Sequence, residues 1–369
     1  MKKERYFYLD VLKTIAVFLV CLYHFYIGGI IGYSNNLSIA NYIERFLFNI
    51  CSCCVPLFFM VNGALVLNRE LNIRRHLKKC GKIFIQCLIW KCIAIIICTI
   101  FNNIELLKYS PYTLFNSIFF TDMLEGINLT EFWFIYVLLC IYFLLPLIKK
   151  TFDLSFENRE YKLYLIFILS LLFVSSFLKN DINFVKTVIP VIKNINITSF
   201  DCLTPFRWLV GPMLLYFLLG GIMGRRDISH KKHNCTISVI MIFIGLCLLL
   251  VEWYIQSNSL GLNFDIVFDG NSTMATLLIS VGVFDIIQKL YSRIQYNNIF
   301  TIFFNKVGSN TLGIYYMHWI IGNTFIYKYL MFKYNAFYFN ILKALVLIII
   351  CTIISEAIKK IPILKNILE

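Results

Sequence analysis

The chain has 369 residues, 59% of them hydrophobic and 15% charged, with a mean hydropathy of +0.75 and a formal net charge of +14. This composition excludes an ordinary water-soluble domain. The basic residues sit in alternate connections between apolar runs, so the charge reads as a topology signal and nucleic acid is not an expected partner.

Ten apolar segments are long enough to cross a bilayer, at about 10–32, 46–67, 82–101, 132–149, 161–178, 206–224, 235–255, 272–291, 308–330 and 337–358. The expected fold is therefore all-α and polytopic, a single membrane domain over residues 1–369. With the N-terminus inside, 23 of the 34 Lys and Arg residues fall in inner segments and 8 in outer ones. That bias predicts both termini in the cytoplasm. Met1–Arg5 begins a run without a clear cleavage site, which reads as an uncleaved first span. The thirteen cysteines lie almost all in apolar runs as small hydrophobes, and Cys51-Ser52-Cys53-Cys54 has no nearby His or second Cys-x-x-Cys. No disulfide framework and no metal site is expected.

The first segment carries an acid, a lysine and a histidine, at Asp10, Lys13 and His24. Lys13 and His24 are eleven residues apart, which on an α-helix is about three turns, roughly 16 Å of rise and an angular offset of about 20°. A polar stripe on an apolar helix should face protein or a water-filled cavity. A cation at one depth and an imidazole half a membrane further in suits catalysis. The alternative is Lys13 snorkelling to the interface and His24 satisfied between helices.

In the second segment, Asn62-Gly63 places an amide and a point of close backbone approach near the inner face, where helix packing is the competing explanation. The following stretch, residues 68–82, is the densest basic cluster. If helical, it sets Arg75 beside Lys78 and Lys79 on one face. Such a face meets anionic lipid headgroups or holds nucleotide phosphates. Lys91 lies near mid-span and requires a buried partner or an aqueous cavity. Pro111–Phe120 has the look of an interfacial or re-entrant turn.

Glu131-Phe132-Trp133 opens the fourth span. Trp133 fits an interfacial aromatic belt, whereas Glu131 beside an indole also suits sugar hydroxyls. Gly220 and Gly224 have small-xxx-small spacing, a helix-packing signal. In the ninth span His318 lies about ten residues deep, with Tyr315 and Thr311 close in sequence. Two deep imidazoles, a lysine and flanking hydroxyls suggest a polar cavity.

Several of these stretches resemble the acyltransferase-3 family of integral membrane acyltransferases. Lys13-x10-His24 is similar to that family's Arg-x10-His motif, with Lys in place of Arg. VPLFFMVNG at 55–63, FWFIYVLLCIYFLLPLI at 132–148, TLGIYYMHW at 311–319 and KIPILKNIL at 360–368 resemble further family segments, in family order. Asn62 replaces a small Ser, Glu131 stands where many relatives carry His, and the inner-loop Arg pair is matched only as Arg75 and Lys78.

The resemblance implies transfer of an acyl group, usually acetyl from cytoplasmic acetyl-CoA, to a hydroxyl of a surface or lipid-linked polysaccharide in the bacterial inner membrane. It assigns donor contacts to Lys13, Arg75, Lys78 and Lys79, and the general base to His24. His318, with Tyr315 or Asn62, would stabilise the oxyanion or orient the acceptor; Glu131 and Trp133 would contact acceptor sugar. Direct transfer and an acyl-His24 relay both fit. A polysaccharide polymerase or flippase would carry a large outer loop with paired Arg residues, which the chain lacks. A ligand-binding sensory domain would tolerate loss of His24. The expected partners are thus acyl-CoA, a glycan acceptor and membrane lipids.

Overall fold

A computed structural model describes residues 6–30, 47–102, 108–121, 123–124, 127–178, 181, 212–225, 234–260, 270–291, 298–326, 337–362 and 364–368. The described chain is helical apart from one two-residue antiparallel ladder. The α-helices are α1 (Phe7–Ile30), α2 (Cys54–Leu67), α3 (Ile73–Asn102), α4 (Pro111–Asn116), α5 (Trp133–Leu154), α6 (Arg159–Leu172), α7 (Met213–Gly224), α8 (Thr236–Leu260), α9 (Met274–Tyr291), α10 (Ile299–Ile321) and α11 (Phe337–Lys360). The ladder pairs β1 (Met123–Leu124) with β2 (Ile127–Asn128).

Helix starts follow local chemistry. Asn72, Asn158 and Asn298 each accept a backbone N–H from the first turn of α3, α6 and α10. Ser110 caps α4 ahead of Pro111, a residue suited to that position because its missing N–H has no helical role there.

Among the described residues, seven helical stretches are long and apolar enough to cross a membrane: Phe7–Phe25, Leu47–Leu67, Ile73–Phe101, Thr130–Leu154, Arg159–Phe177, Met274–Tyr291 and Tyr338–Lys360. Met213–Gly224 and Thr236–Glu252 are apolar but shorter. α10 matches the ninth expected segment but begins nine residues earlier and carries Asn305, Lys306, Asn310 and His318. Every expected segment thus contains helix, while seven meet the length and hydropathy of a span. Most of the connection at 179–205 and the start of the 206–224 segment lie outside the described residues. Apolar side chains exposed along α6, α8 and α11, such as Phe167, Phe243 and Ile353, are the surface expected of a protein bathed in lipid.

The helices gather into two compact units. Unit one comprises Met1–Leu71 and Leu144–Gly308; unit two comprises Asn72–Phe143 and Ser309–Glu369. In unit one, α1 packs on α2 and α9, α8 on α9, and α7 on α2. The last contact is backbone to backbone. A Cβ on Gly63 would overlap the Phe217 carbonyl, and one on Gly220 would overlap the Met60 backbone. Asn68 Nδ2 also donates to the Gly221 carbonyl at 3.0 Å across this seam. Two carboxylates of unit one hold pairs: Asp153 with Lys149 and Arg225, and Asp285 with Lys289 and the Ser238 hydroxyl.

In unit two, α3 buries a stripe of His76, Cys80, Ile83, Cys87, Trp90 and Ala94, at alternating steps of four and three. Trp90 stacks on Tyr316, ring centroids 5.7 Å apart and planes within 9°. Its indole N–H donates to the Ile367 carbonyl at 3.0 Å, and Gln86 Nε2 donates to the Asn366 carbonyl at 2.9 Å. The short turn Leu364–Ile367 is thereby tied along α3.

Candidate functional site

α1 is unbroken from Phe7 to Ile30, so Asp10, Lys13 and His24 share one helix, about four turns from Asp10 to His24. Lys13 Nζ lies 3.3 Å from Asp10 Oδ1, and the Thr14 hydroxyl donates to the Asp10 carbonyl at 2.8 Å. The Asp10 carboxylate is almost wholly buried, while Lys13 keeps about a fifth of its side-chain surface exposed. Gly308 explains that burial: the α10 backbone presses on Asp10, and a Cβ at 308 would meet the Asp10 side chain at 2.6 Å. An ammonium held against a fixed carboxylate yet open on one side can meet an anion. His24 is half-buried, its ring centroid 5.1 Å from that of Tyr23, which stacks on Phe48.

Asn62 lies on α2 and donates its amide to the Phe58 carbonyl one turn back at 2.9 Å. Beside it, Gly63 serves the α2–α7 seam. Packing therefore accounts for Gly63, and the Asn62 amide already holds a helix carbonyl.

The basic stretch forms the first turns of α3, longer at this end than its apolar part implied. Arg74, Arg75, Lys78 and Lys79 are all exposed. Lys79 Nζ sits 4.9 Å from the centroid of the Tyr142 ring. Arg75 and Lys78 thus share one exposed cationic face at a helix N-terminus, where the backbone dipole adds positive potential.

Unit two brings three more of the expected residues together. The Tyr315 hydroxyl donates to the Glu131 backbone carbonyl, and the Tyr315 ring centroid is 5.5 Å from that of His318. His318 is buried, and its Nδ1–H donates to the Tyr315 carbonyl at 2.5 Å. That bond makes Nε2 the acceptor nitrogen of the neutral ring. A neutral ring of this tautomer orients a hydroxyl through Nε2, and an imidazolium would donate from Nε2 to an oxyanion. Trp133, half-buried, starts α5 two residues after Glu131.

Lys91 finds the buried partner that its depth demands, and Glu252 and Asp181 add polar groups that the sequence pattern does not mark. Lys91 is fully buried; its ammonium donates to the Ile118 carbonyl at 2.8 Å and lies 5.0 Å from the Tyr136 ring centroid. In unit one, Glu252 is 5% exposed. Asp181 accepts the Met274 N–H at 3.2 Å, and burial pushes its carboxyl up to about 6.

No curated protein and no solved structure matches this chain. A protein-family model does: the acyltransferase-3 model, described as an acyltransferase domain, aligns with residues 6–358. That stretch takes in the α1 stripe, the α3 basic face and the α10 histidine. Together with the apolar helices it makes this an integral membrane protein, and the chain belongs to the acyltransferase-3 family.

Proposed function

We propose that the chain is a single O-acyltransferase domain over residues 1–369. It takes acetyl from cytoplasmic acetyl-CoA and passes it to a hydroxyl of a surface or lipid-linked polysaccharide in a bacterial inner membrane. The observation that carries the reading is the near full-length family match combined with Asp10, Lys13 and His24 on one continuous helix. Ten crossings with both termini cytoplasmic fit the charge bias of the connections.

The residue roles follow from chemistry. Arg75, Lys78 and Lys79 contact donor phosphates, Arg75 through paired hydrogen bonds. Lys13, oriented by Asp10, is a further cation for the donor. His24 as general base takes the proton of the acceptor hydroxyl while its oxygen attacks the thioester carbonyl. The tetrahedral intermediate then collapses, an ester forms, and coenzyme A leaves as thiolate and takes up a proton. His318 Nε2 accepts from an acceptor hydroxyl and orients it; Glu131, Trp133 and Tyr315 bind acceptor sugar, and Asn62 remains a candidate contact.

The experiment supplies membranes containing the protein with [¹⁴C]acetyl-CoA and follows label into alkali-labile ester on the glycan fraction. Label should appear in the parent and disappear in a folded His24→Ala variant. Equal labelling in membranes lacking the protein removes the proposal.

A further inference from the structure

Pro146 sits inside α5 and has no N–H to give. In an unbroken helix that N–H would go to the carbonyl four residues back, which here is Tyr142. A carbonyl released inside a membrane helix must be satisfied by a neighbour, because lipid offers no donor. The neighbour is His76 on α3, whose Nε2 lies 2.7 Å from the Tyr142 oxygen. A carbonyl only accepts, so Nε2 carries the proton. His76 is buried, 8% exposed, in the middle of an otherwise exposed cationic turn, with Arg75 before it and Lys78 and Lys79 after it. The Tyr142 ring packs against the imidazole at 5.5 Å and receives the Lys79 ammonium on its face at 4.9 Å. One residue of α5 thus grips the start of α3 twice, by carbonyl and by ring.

We propose that His76 is a positioning residue for donor binding. By giving its Nε2–H to the carbonyl that Pro146 releases, it fixes the rotation of the first turns of α3, so that Arg75 and Lys78 point outward as one phosphate-binding face. His76 touches no substrate. The inference rests on the reading of that face as a donor contact. It adds that the face is set by a hydrogen bond to α5, and not by helix propensity or charge alone.

The test measures binding of coenzyme A to the purified full-length protein in nanodiscs, alongside thermal stability. His76→Leu keeps bulk and loses the donor; it should weaken coenzyme A binding about tenfold while the protein stays folded. His76→Gln carries an N–H at the same distance along the side chain and should restore binding to within about threefold. Pro146→Ala offers the Tyr142 carbonyl a helical N–H, so His76→Leu should cost less thermal stability in that background than in the parent. The control is Arg75→Glu with Lys78→Glu. If the control weakens binding and His76→Leu does not, the positioning role is wrong and the donor reading stands. If the control binds as the parent does, the donor reading fails and this inference with it. Equal losses in His76→Leu and His76→Gln would also overturn it, since ring shape and not the N–H would then matter. Should His76→Leu fail to fold, the His76→Gln arm and the Pro146→Ala comparison decide.

Discussion

Replacing Asp10 by Asn isolates the charge of the α1 pair, because the amide has the carboxylate's shape and Gly308 leaves room for nothing larger. At 3.3 Å and an effective dielectric of about 20, the Asp10–Lys13 attraction is roughly 5 kcal/mol. Desolvation of the buried carboxylate offsets much of that, and the exposed fifth of Lys13 lets water screen the ammonium. The net loss should be about 1–3 kcal/mol. With roughly 2.1 cal/mol/K of unfolding entropy per residue, ~2 kcal/mol lowers the unfolding midpoint of a chain of this length by about 2–3 °C. Lys13 also loses its orientation, so the KM for acetyl-CoA should rise about three- to tenfold, with kcat changing less. Differential scanning fluorimetry in detergent and initial rates of acetyl transfer read the two effects. A folded Asp10→Asn protein with parental KM would show that Asp10 does not orient Lys13 for the donor. A fall in kcat alone would move the pair from donor binding to the chemical step.

Three further outcomes are expected. His24→Ala should lower acetyl transfer by about 10²–10⁴, and His24→Gln should not rescue it because an amide is not a base; near-parental transfer by either variant, at matched thermal stability, would shift attention to His318. Asp181 binds its proton more tightly in the fold (about 6) than at its ordinary value of 3.8, so its contribution to stability is present below pH 3.8 and is lost as pH rises through 6. The midpoint of Asp181→Asn relative to the parent should therefore climb between about pH 4 and 6 and level off above; a pH-independent difference contradicts the buried-carboxyl account. Reporter fusions after Arg75, Arg226 and Lys365 should read cytoplasmic and those after Asn128 and Asp265 external, and a cytoplasmic Asn128 would break the ten-span topology.

What could be read in advance was whatever depends on short sequence separation. The α1 stripe needs only helix geometry, and the Asp10–Lys13 pair follows from its spacing of three. The Gly220 and Gly224 spacing announced the close α2–α7 seam. Hydropathy located the helices but misplaced two starts. α3 begins at Ile73 and α10 at Ile299, because Asn72 and Asn298 cap them where polar residues had masked the helix. Polar content ends an apolar run without ending a helix. Long-range partners were invisible: nothing said that His76, 66 residues before Tyr142, would take the carbonyl that Pro146 releases. The Lys91 partner Ile118 acts through its backbone, which side-chain patterning cannot reveal. Glu252 and Asp181 lie near the ends of apolar runs and resemble ordinary boundary residues.

The Trp90 anchor has a consequence for biosynthesis. Its hydrogen-bond acceptor, Ile367, follows 277 residues later, and its stacking partner Tyr316 also belongs to the last part of the chain. At about 5–20 residues per second, the ribosome needs roughly 15–55 s to supply that carbonyl after Trp90 has been made. Throughout this interval Trp90 is in the membrane without its hydrogen-bond acceptor and Gln86 without the Asn366 carbonyl, whereas Lys91 and His76 meet Ile118 and Tyr142 early. Unit two can close only after translation is nearly complete. Nascent chains stalled before residue 316 should therefore remain with the insertion machinery or be handed to quality-control proteases, even though all of α1, α2 and α3 has been synthesised.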